Sequence, residues 1–433
     1  MASKWDYQAD VLNASNTNNV EIKELLGNVI IKKDSITLRT NKAILYSKND
    51  ELELFNDIIM TTNEDTLSCD TLYYFPKDQE YIIASGNIRL SKAEGFLVSD
   101  SLYFWSLRDS MIAKGDVQFN NKSGTISSQV IHYHSSKNTI LAIDDVLLKS
   151  IDQSITSDSL YYWTSTDSII AIGDVKLTNQ DGYLTSNSIH YSENNNAIHA
   201  LGDAYVSNAK SDISAQSIYY IKDDGYYGYS FIAQGNVIVN NDDNKISGAE
   251  IVYVDSTQQM SILEDASIIN QNQKLIGENI FIQFQDSAVH QINIDKNPMA
   301  FSLTKAKLSD DSPYYDYVNT MFGKSMLLTY DNNKLKKMDI IGMANSVYHV
   351  IENTLLEGAN EVSGDTISLS FIDEELVKIL VRGGGIGMFI PELSNSSLDT
   401  IINYSGETIH YNIPEQENYF YDNSSIKYQD TEL

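Results

Sequence analysis

One cysteine, five prolines and four arginines are all that this 433-residue chain holds of three residue types that usually say most about compartment, loops and partners. The lone Cys69 excludes an internal disulfide, has no neighbours at zinc-ligand spacing, and reads as a small strand residue. With only Arg39, Arg89, Arg108 and Arg382 in a formal net charge of −29, the chain lacks the clustered cations that displace counterions from DNA or RNA. A nucleic-acid partner is therefore excluded, and so is attachment to an anionic membrane through basic patches. No window approaches the ~18 apolar residues of a membrane-crossing helix. The opening stretch also lacks the basic, apolar, small-residue order of a secretory signal. Taken literally this gives a soluble cytoplasmic protein; a chain whose signal was removed before Met1 fits equally well.

What is present is an apolar, tyrosine-rich composition: 42% hydrophobic residues and 28 tyrosines. Acidic disordered tails are poor in aromatics, so this chain folds. Its organisation lies in two markers that keep one period. A Gly followed by Asn or Asp and an apolar residue begins at Gly27, Gly86, Gly115, Gly173, Gly202 and Gly235, at intervals of 59, 29, 58, 29 and 33. Degenerate copies at Asn56-Asp57, Asp144-Asp145 and Glu264-Asp265 fill the series. The second marker is an apolar-aromatic triplet such as Leu72-Tyr73-Tyr74, Leu102-Tyr103-Phe104, Ile131-His132-Tyr133, Leu160-Tyr161-Tyr162 or Ile189-His190-Tyr191. It recurs every 29 or 30 residues through those copies, which is the signature of a repeat architecture.

Each repeat reads as two strands. Counted from the Gly, positions −4, −2, 0, +2 and +4 are apolar or small, as in Ile82, Ala84, Gly86, Ile88 and Leu90. Period two puts them on one inward face, with Asn or Asp at +1 on the outer face. The alternation is imperfect, since Ile83, Ile112, Leu141, Ile170 and Ile232 are apolar at −3 and need cover. In the second strand Leu184 and Ile189 are five apart, with Ser186 and Ser188 between them, which implies a bend near mid-strand. Turn-rich runs of hairpin length separate the strands. The expected fold is all-β: an elongated antiparallel β-jellyroll, or β-taco, of two facing sheets. At ~4.8 Å per strand, each repeat adds roughly 10 Å and the body reaches on the order of 100 Å. The expected limits are a tail at 1–20, the repeated jellyroll at 21–300, an irregular insertion or short helix within 301–325, a divergent continuation at 326–412 and an acidic tail at 413–433.

Catalytic motifs are lacking: there is no nucleophile elbow, zinc-protease helix or phosphate loop. Gly383, Gly384, Gly385 and Gly387 lack dinucleotide-fingerprint spacing and read as a close strand bend. His132, His190 and His410 occupy the outward middle of the aromatic triplet, one per repeat, too few for a metal site. No catalytic residue, metal or cofactor is expected. The Asp column reads as a solvated face that discourages edge pairing. Asp144 and Glu264, standing where other copies have the inward Gly, are expected at an open side or a shifted rung. The Ala and Gly column leaves two readings open, a close approach of two backbones or an apolar recess along the axis. The candidate recess comprises Ile82, Ala84, Gly86, Ile88, Met111, Ala113, Gly115, Val117, Phe119, Ala142, Val146, Ala171, Gly173, Val175, Leu177, Ala200, Gly202, Phe231, Ala233, Gly235 and Val237. Hydrocarbon chains suit such a recess, each buried methylene contributing about 0.8 kcal/mol.

The recurrent Ala-x-Gly-Asn/Asp-Val string, followed by a Ser-containing strand that ends in Tyr-Tyr, resembles the OstA-like family over residues 27–294. Residues 356–389 resemble the C-terminal region of its long members. The resemblance implies a periplasmic or outer-membrane-associated, non-enzymatic carrier or bridge for lipopolysaccharide, with lipid A acyl chains inside and sugars outside. It also implies edge-strand pairing with other jellyroll proteins of the bridge and delivery to an outer-membrane translocon. The competing class is a structural or adhesive β-repeat protein with a dry interior.

Overall fold

The structure is a computed structural model that describes residues 5–17, 20–63, 65–76, 80–92, 95–192, 196–222, 229–241, 243–394, 396, 398–415, 417–429 and 431–432. The described residues form antiparallel strands joined mostly to their chain neighbours, with two short 3₁₀ turns, Ser106–Arg108 and Asp255–Thr257, as the helical elements. The all-β antiparallel jellyroll expected from the period is the fold. Contacts divide the chain into two compact units, Met1–Ala209 and Lys210–Leu433.

The repeat is two strands, as in Tyr81–Lys92 followed by Gly95–Trp105. Each Gly-marked strand bends where two consecutive residues have positive φ, for example Gly86 (+77°) and Asn87 (+47°). That left-handed pair explains the composition of the marker, because Gly, Asn and Asp are the residues that enter this region at least cost. Thirteen such pairs recur along the described strands, from Gly27-Asn28 to Asp422-Asn423. Each inserts one extra residue against the neighbouring strands. Ser85 pairs with Ser101 and Ile88 with Ser99, so Gly86 and Asn87 together oppose Asp100. Four further pairs, among them Asn332-Asn333 and Asp373-Glu374, form two-residue hairpin loops, where a mirror-image turn demands positive φ twice.

The bulge also decides which way the glycines face. A Cβ on Gly86 would meet Asp70 Oδ2 at 2.3 Å, and one on Gly173 would meet Asp158 Oδ2 at 2.1 Å. Asp70 and Asp158 are exposed, so position 0 lies on the outer face. This corrects the inward placement of Gly86, Gly115, Gly173, Gly202 and Gly235: strict period two does not survive an inserted residue. Asp144 and Glu264 accordingly sit exposed on the outside, both with positive φ, rather than at an inward position.

Around the bend the core is a set of cross-strand rows. In the first unit, Leu72, Ala84, Leu102, Ala113, Ile131, Ala142, Leu160, Ala171, Ile189 and Ala200 are successive neighbours on adjacent strands. Ala on the Gly-marked strands thus alternates with Leu or Ile on the Tyr-marked strands, and the row is essentially inaccessible. Beyond the bend the sizes invert: Ile88, Val117, Val146 and Val175 face Ser99, Ser128, Ser157 and Ser186. Each buried Ser donates to a backbone carbonyl two residues on, as Ser186 Oγ does to Ser188 at 2.9 Å. Its polarity is satisfied inside the core. Ala at 0% exposure beside Leu160 at 0% makes this crease a packed seam. Of the two readings of the small column, the structure has tight packing. Ala84, Ala113, Ala142, Ala171, Ala200 and Ala233 are buried, and none of them lines the cavities described below.

On the outer face the apolar −3 residues find their cover in the middle aromatic of the triplet. Ile83 pairs with Tyr73 and Tyr103, and Ile170 with Tyr161 and His190. Aromatic and β-branched neighbours of this kind stabilise a sheet by roughly 0.2–1 kcal/mol each.

Segments expected to be irregular carry strands. Residues 1–20 include Asp6–Gln8 and Val11–Thr17, which pair with the two arms of Val20–Lys33. Residues 310–323, expected as an insertion or short helix, contain strand Tyr314–Phe322, paired with Met299–Lys307 over nine positions. Aromatic and β-branched residues spaced through Tyr315, Tyr317 and Val318 favour the extended form. The final segment holds Glu417–Tyr421 and Ser425–Tyr428 against the two arms of Ile402–Asn412.

Candidate functional site

Away from the crease the two arms of each repeat carry larger side chains, and there they separate. In the first unit one arm presents Ile82, Phe104, Met111, Tyr133, Ile140 and Tyr162 as successive neighbours, and the other presents Leu90, Leu97, Phe119 and Ile126. Two cavities lie between these rows. One of 310 Å³ is walled by Leu90, Leu97 and Phe119 from one arm and Met111, Tyr133 and Ile140 from the other. The second, of 240 Å³, shares Leu90, Lys92, Met111 and Tyr133 with it and extends to Met60, Leu67, Ile82 and Phe104. Shared walls make them one cleft along the stack of strands. A void of ~150 Å³ already accommodates a benzene, so each of these cavities has room for a small apolar group.

The mouth is polar and carries both signs of charge. Lys92 Nζ lies 3.2 Å from Asp65 Oδ2 and also above the Tyr133 ring, 5.8 Å from its centroid. The Tyr162 hydroxyl donates to Asp167 Oδ1 at 2.5 Å, which keeps its polar end at the rim while the ring stays inside. Asn121 Oδ1 accepts from the Ser123 and Gly124 amides and so closes the hairpin that forms one lip.

The second unit has its own cleft of 820 Å³. Its walls include Phe231, Met260, Leu275, Ile282, Phe284 and Tyr330, and its mouth is rich in amides: Asn241, Asn244, Asn270, Gln271, Asn272 and Asn333. Asp243 and Glu374 are the charged residues among its lining. Asn241 and Asn270 each use the side-chain oxygen to accept two backbone amides of their own turn.

Of the residues expected to form the recess, Ile82, Met111, Phe119 and Phe231 line these clefts. Ile88, Val117, Val146, Val175 and Val237 are buried in the row beyond the bend, and Leu177 is buried on its arm outside the cavity walls. The six alanines lie in the crease and the five glycines face outward, as described above. What the reading of the small column missed is the final aromatic of the triplet. Phe104, Tyr133 and Tyr162 point inward at the cleft, and they are the same residues that announced the period.

Among the described residues, no group of three or more His, Cys, Asp and Glu side chains is placed to hold a metal ion. Burial, with a smaller contribution from Asp70, pushes the Cys69 thiol up to about 12, so it stays protonated and unreactive. Among the described residues, no helix is long and apolar enough to cross a membrane. Acidic side chains crowd the outer ridge of the bend, where Asp70, Asp100 and Asp158 join the Asn and Asp of the marker. The Asn87 amide donates to Asp70 Oδ2 at 2.8 Å, one rung of that ridge.

A family model described as OstA-like protein matches residues 7–108 and again 106–229, together more than half of the chain. Among solved structures, the chain is similar to LptH of Pseudomonas aeruginosa, titled the LptA homologous periplasmic component of the conserved lipopolysaccharide transport device. The similarity is 18% identity over 32% of this chain and 79% of that one, with a TM-score of 0.15. So little of the two backbones superposes that it adds nothing to the strand pattern itself. No curated protein matches.

Proposed function

The chain belongs to the OstA-like family, and on that premise we propose that it is a non-enzymatic carrier or bridge in lipopolysaccharide transport to the outer membrane. Acyl chains lie in the clefts between the two arms of the strands, with sugars and phosphates outside the mouth. The observation that carries this reading is the apolar cleft walled by both arms in the first unit, with Met111, Tyr133 and Phe119 inside and Lys92 and Asp65 at the rim. No covalent step is involved. Transfer is burial and release of hydrocarbon, at about 0.8 kcal/mol per methylene. The acidic ridge on the opposite face repels anionic headgroups and favours an orientation with headgroups at the mouth. The proposed setting is the periplasm, and the proposed partners are other jellyrolls of the bridge, joined edge to edge, and the outer-membrane translocon.

The test is lipid retention by the purified full chain mixed with lipid A, read by extraction and mass spectrometry. Wild type retains lipid A. Met111→Trp fills space equal to about two methylenes and lowers retention about tenfold. A wild-type chain that carries no co-purified lipid and retains none of the added lipid A would refute the carrier and leave a dry structural repeat.

A further inference from the structure

The interior is not open along the whole second unit. Strands Lys334–Glu352, Leu355–Ile372, Glu375–Pro391 and Ile402–Asn412 continue the two-arm pattern, with bends at Gly342-Met343 and Gly383-Gly384. In the layer that forms a cleft elsewhere, these strands place polar aromatic side chains that meet across the bend. The Tyr411 hydroxyl, on one arm of Ile402–Asn412, donates to the Tyr404 hydroxyl on the other at 2.8 Å. Tyr404 in turn donates to Asn360 Oδ1, and Asn360 Nδ2 donates to the Tyr348 hydroxyl at 2.6 Å. Tyr404, Tyr411 and Asn360 are buried. The Tyr404 ring occupies the space a side chain at position 387 would need, since a Cβ on Gly387 would lie 2.0 Å from it. Phe420 packs 5.5 Å from Tyr404, centroid to centroid.

We propose that this relay of Tyr411, Tyr404, Asn360 and Tyr348 is a closed end that stops the acyl path within the second unit. A chain held in the 820 Å³ cleft ends before Tyr404 and leaves through the amide-rich mouth, not over the C-terminal strands. The physical argument is that a ligand entering this layer has to break three hydrogen bonds in a dry interior, where orphaned hydroxyls are costly. The unit 1 cleft, between apolar rows, asks for no such exchange. This inference rests on the carrier reading, yet the closure is measurable without it.

Two measurements on the full chain test it. The first is photolabelling with a diazirine-bearing palmitic acid, mapped by peptide mass spectrometry. Wild type is expected to be labelled around Met260 and Phe284 and not in Ile402–Asn412, whereas Tyr404→Ala brings label into that strand. Equal labelling of Ile402–Asn412 in wild type overturns the closure. The second is amide hydrogen exchange of wild type and Tyr411→Phe, a variant that keeps the ring and loses the cross-arm bond. Loss of one buried hydrogen bond predicts about fivefold faster exchange in Ile402–Asn412 and Glu375–Pro391, with the first unit unchanged. Unchanged exchange in those strands overturns the closure even if no fatty acid binds anywhere, a result that by itself would count only against the carrier.

Discussion

The crease and the cleft of the first unit are built from the same strands a few residues apart, and they solve opposite problems. At the crease, Ala171 sits between Leu160 and Ile189, small beside large, and all three are inaccessible. Toward the mouth, large faces large: Met111 neighbours Phe104 and Tyr133, and Phe119 neighbours Leu97 and Ile126. Bulky rows on both arms hold the layers apart, and the space between them stays open. In the first unit, small residues therefore mark where the layers close, and aromatics mark where they part.

The largest effect that can break this comparison is Leu160→Ala, which removes the bulk from the crease. It is expected to cost about 2–5 kcal/mol in denaturant unfolding, with lipid retention per folded molecule unchanged. Ala171→Phe separates the two readings of the small column. In a packed seam it overpacks and destabilises by about 1–3 kcal/mol, whereas in a recess it would be tolerated and would block ligand. Stability lost with binding retained in the remaining folded fraction is the outcome the crease predicts.

At the bend, Gly173→Ala is expected to cost about 1–2 kcal/mol for a left-handed alanine, more if Asp158 cannot swing away. Glu264→Gly should run the other way and stabilise by about 1 kcal/mol, because Glu264 already holds φ +58° on an exposed surface. Paired melts of these two variants give the sign. A loss at both positions would mean that the acid at 264 makes a contact stronger than its backbone strain.

Much of the architecture was legible in the sequence because two independent markers report one event. Gly-Asp at 173-174 and Leu-Tyr-Tyr at 160-162 both recur with the bend, so period, strand count per repeat and antiparallel order follow from their spacing. The facing of Gly173 was not legible. Alternation presumes an unbroken strand, and a bulge that admits one extra residue returns Val175 to the inside while sending Gly173 out. The site was half legible for the same reason. Met111 and Phe119, read as large members of an inward row, line the cleft, whereas Ala113 and Val117, counted with them, belong to the seam. Nothing local distinguishes an alanine beside a void from one beside a leucine on the next strand; only a register such as that of Ala171 against Leu160 and Ile189 does so. Copies such as Lys296-Asn297 and Asp422-Asn423 were invisible because they combine a missing Gly with a lost period, standing 32 residues after Glu264 and 39 after Gly383.

The most direct test of the central claim uses neighbours that point to opposite faces. Tyr133 and Phe104 wall the cleft, while Tyr103 and Tyr161 lie on the outer face, Tyr161 being 40% exposed. Benzoylphenylalanine at each of these positions in turn, followed by illumination with lipid A, reads which face meets the acyl chains. The account predicts lipid adducts at 133 and 104 and none at 103 and 161. Equal adducts on both faces, or adducts only outside, would contradict it.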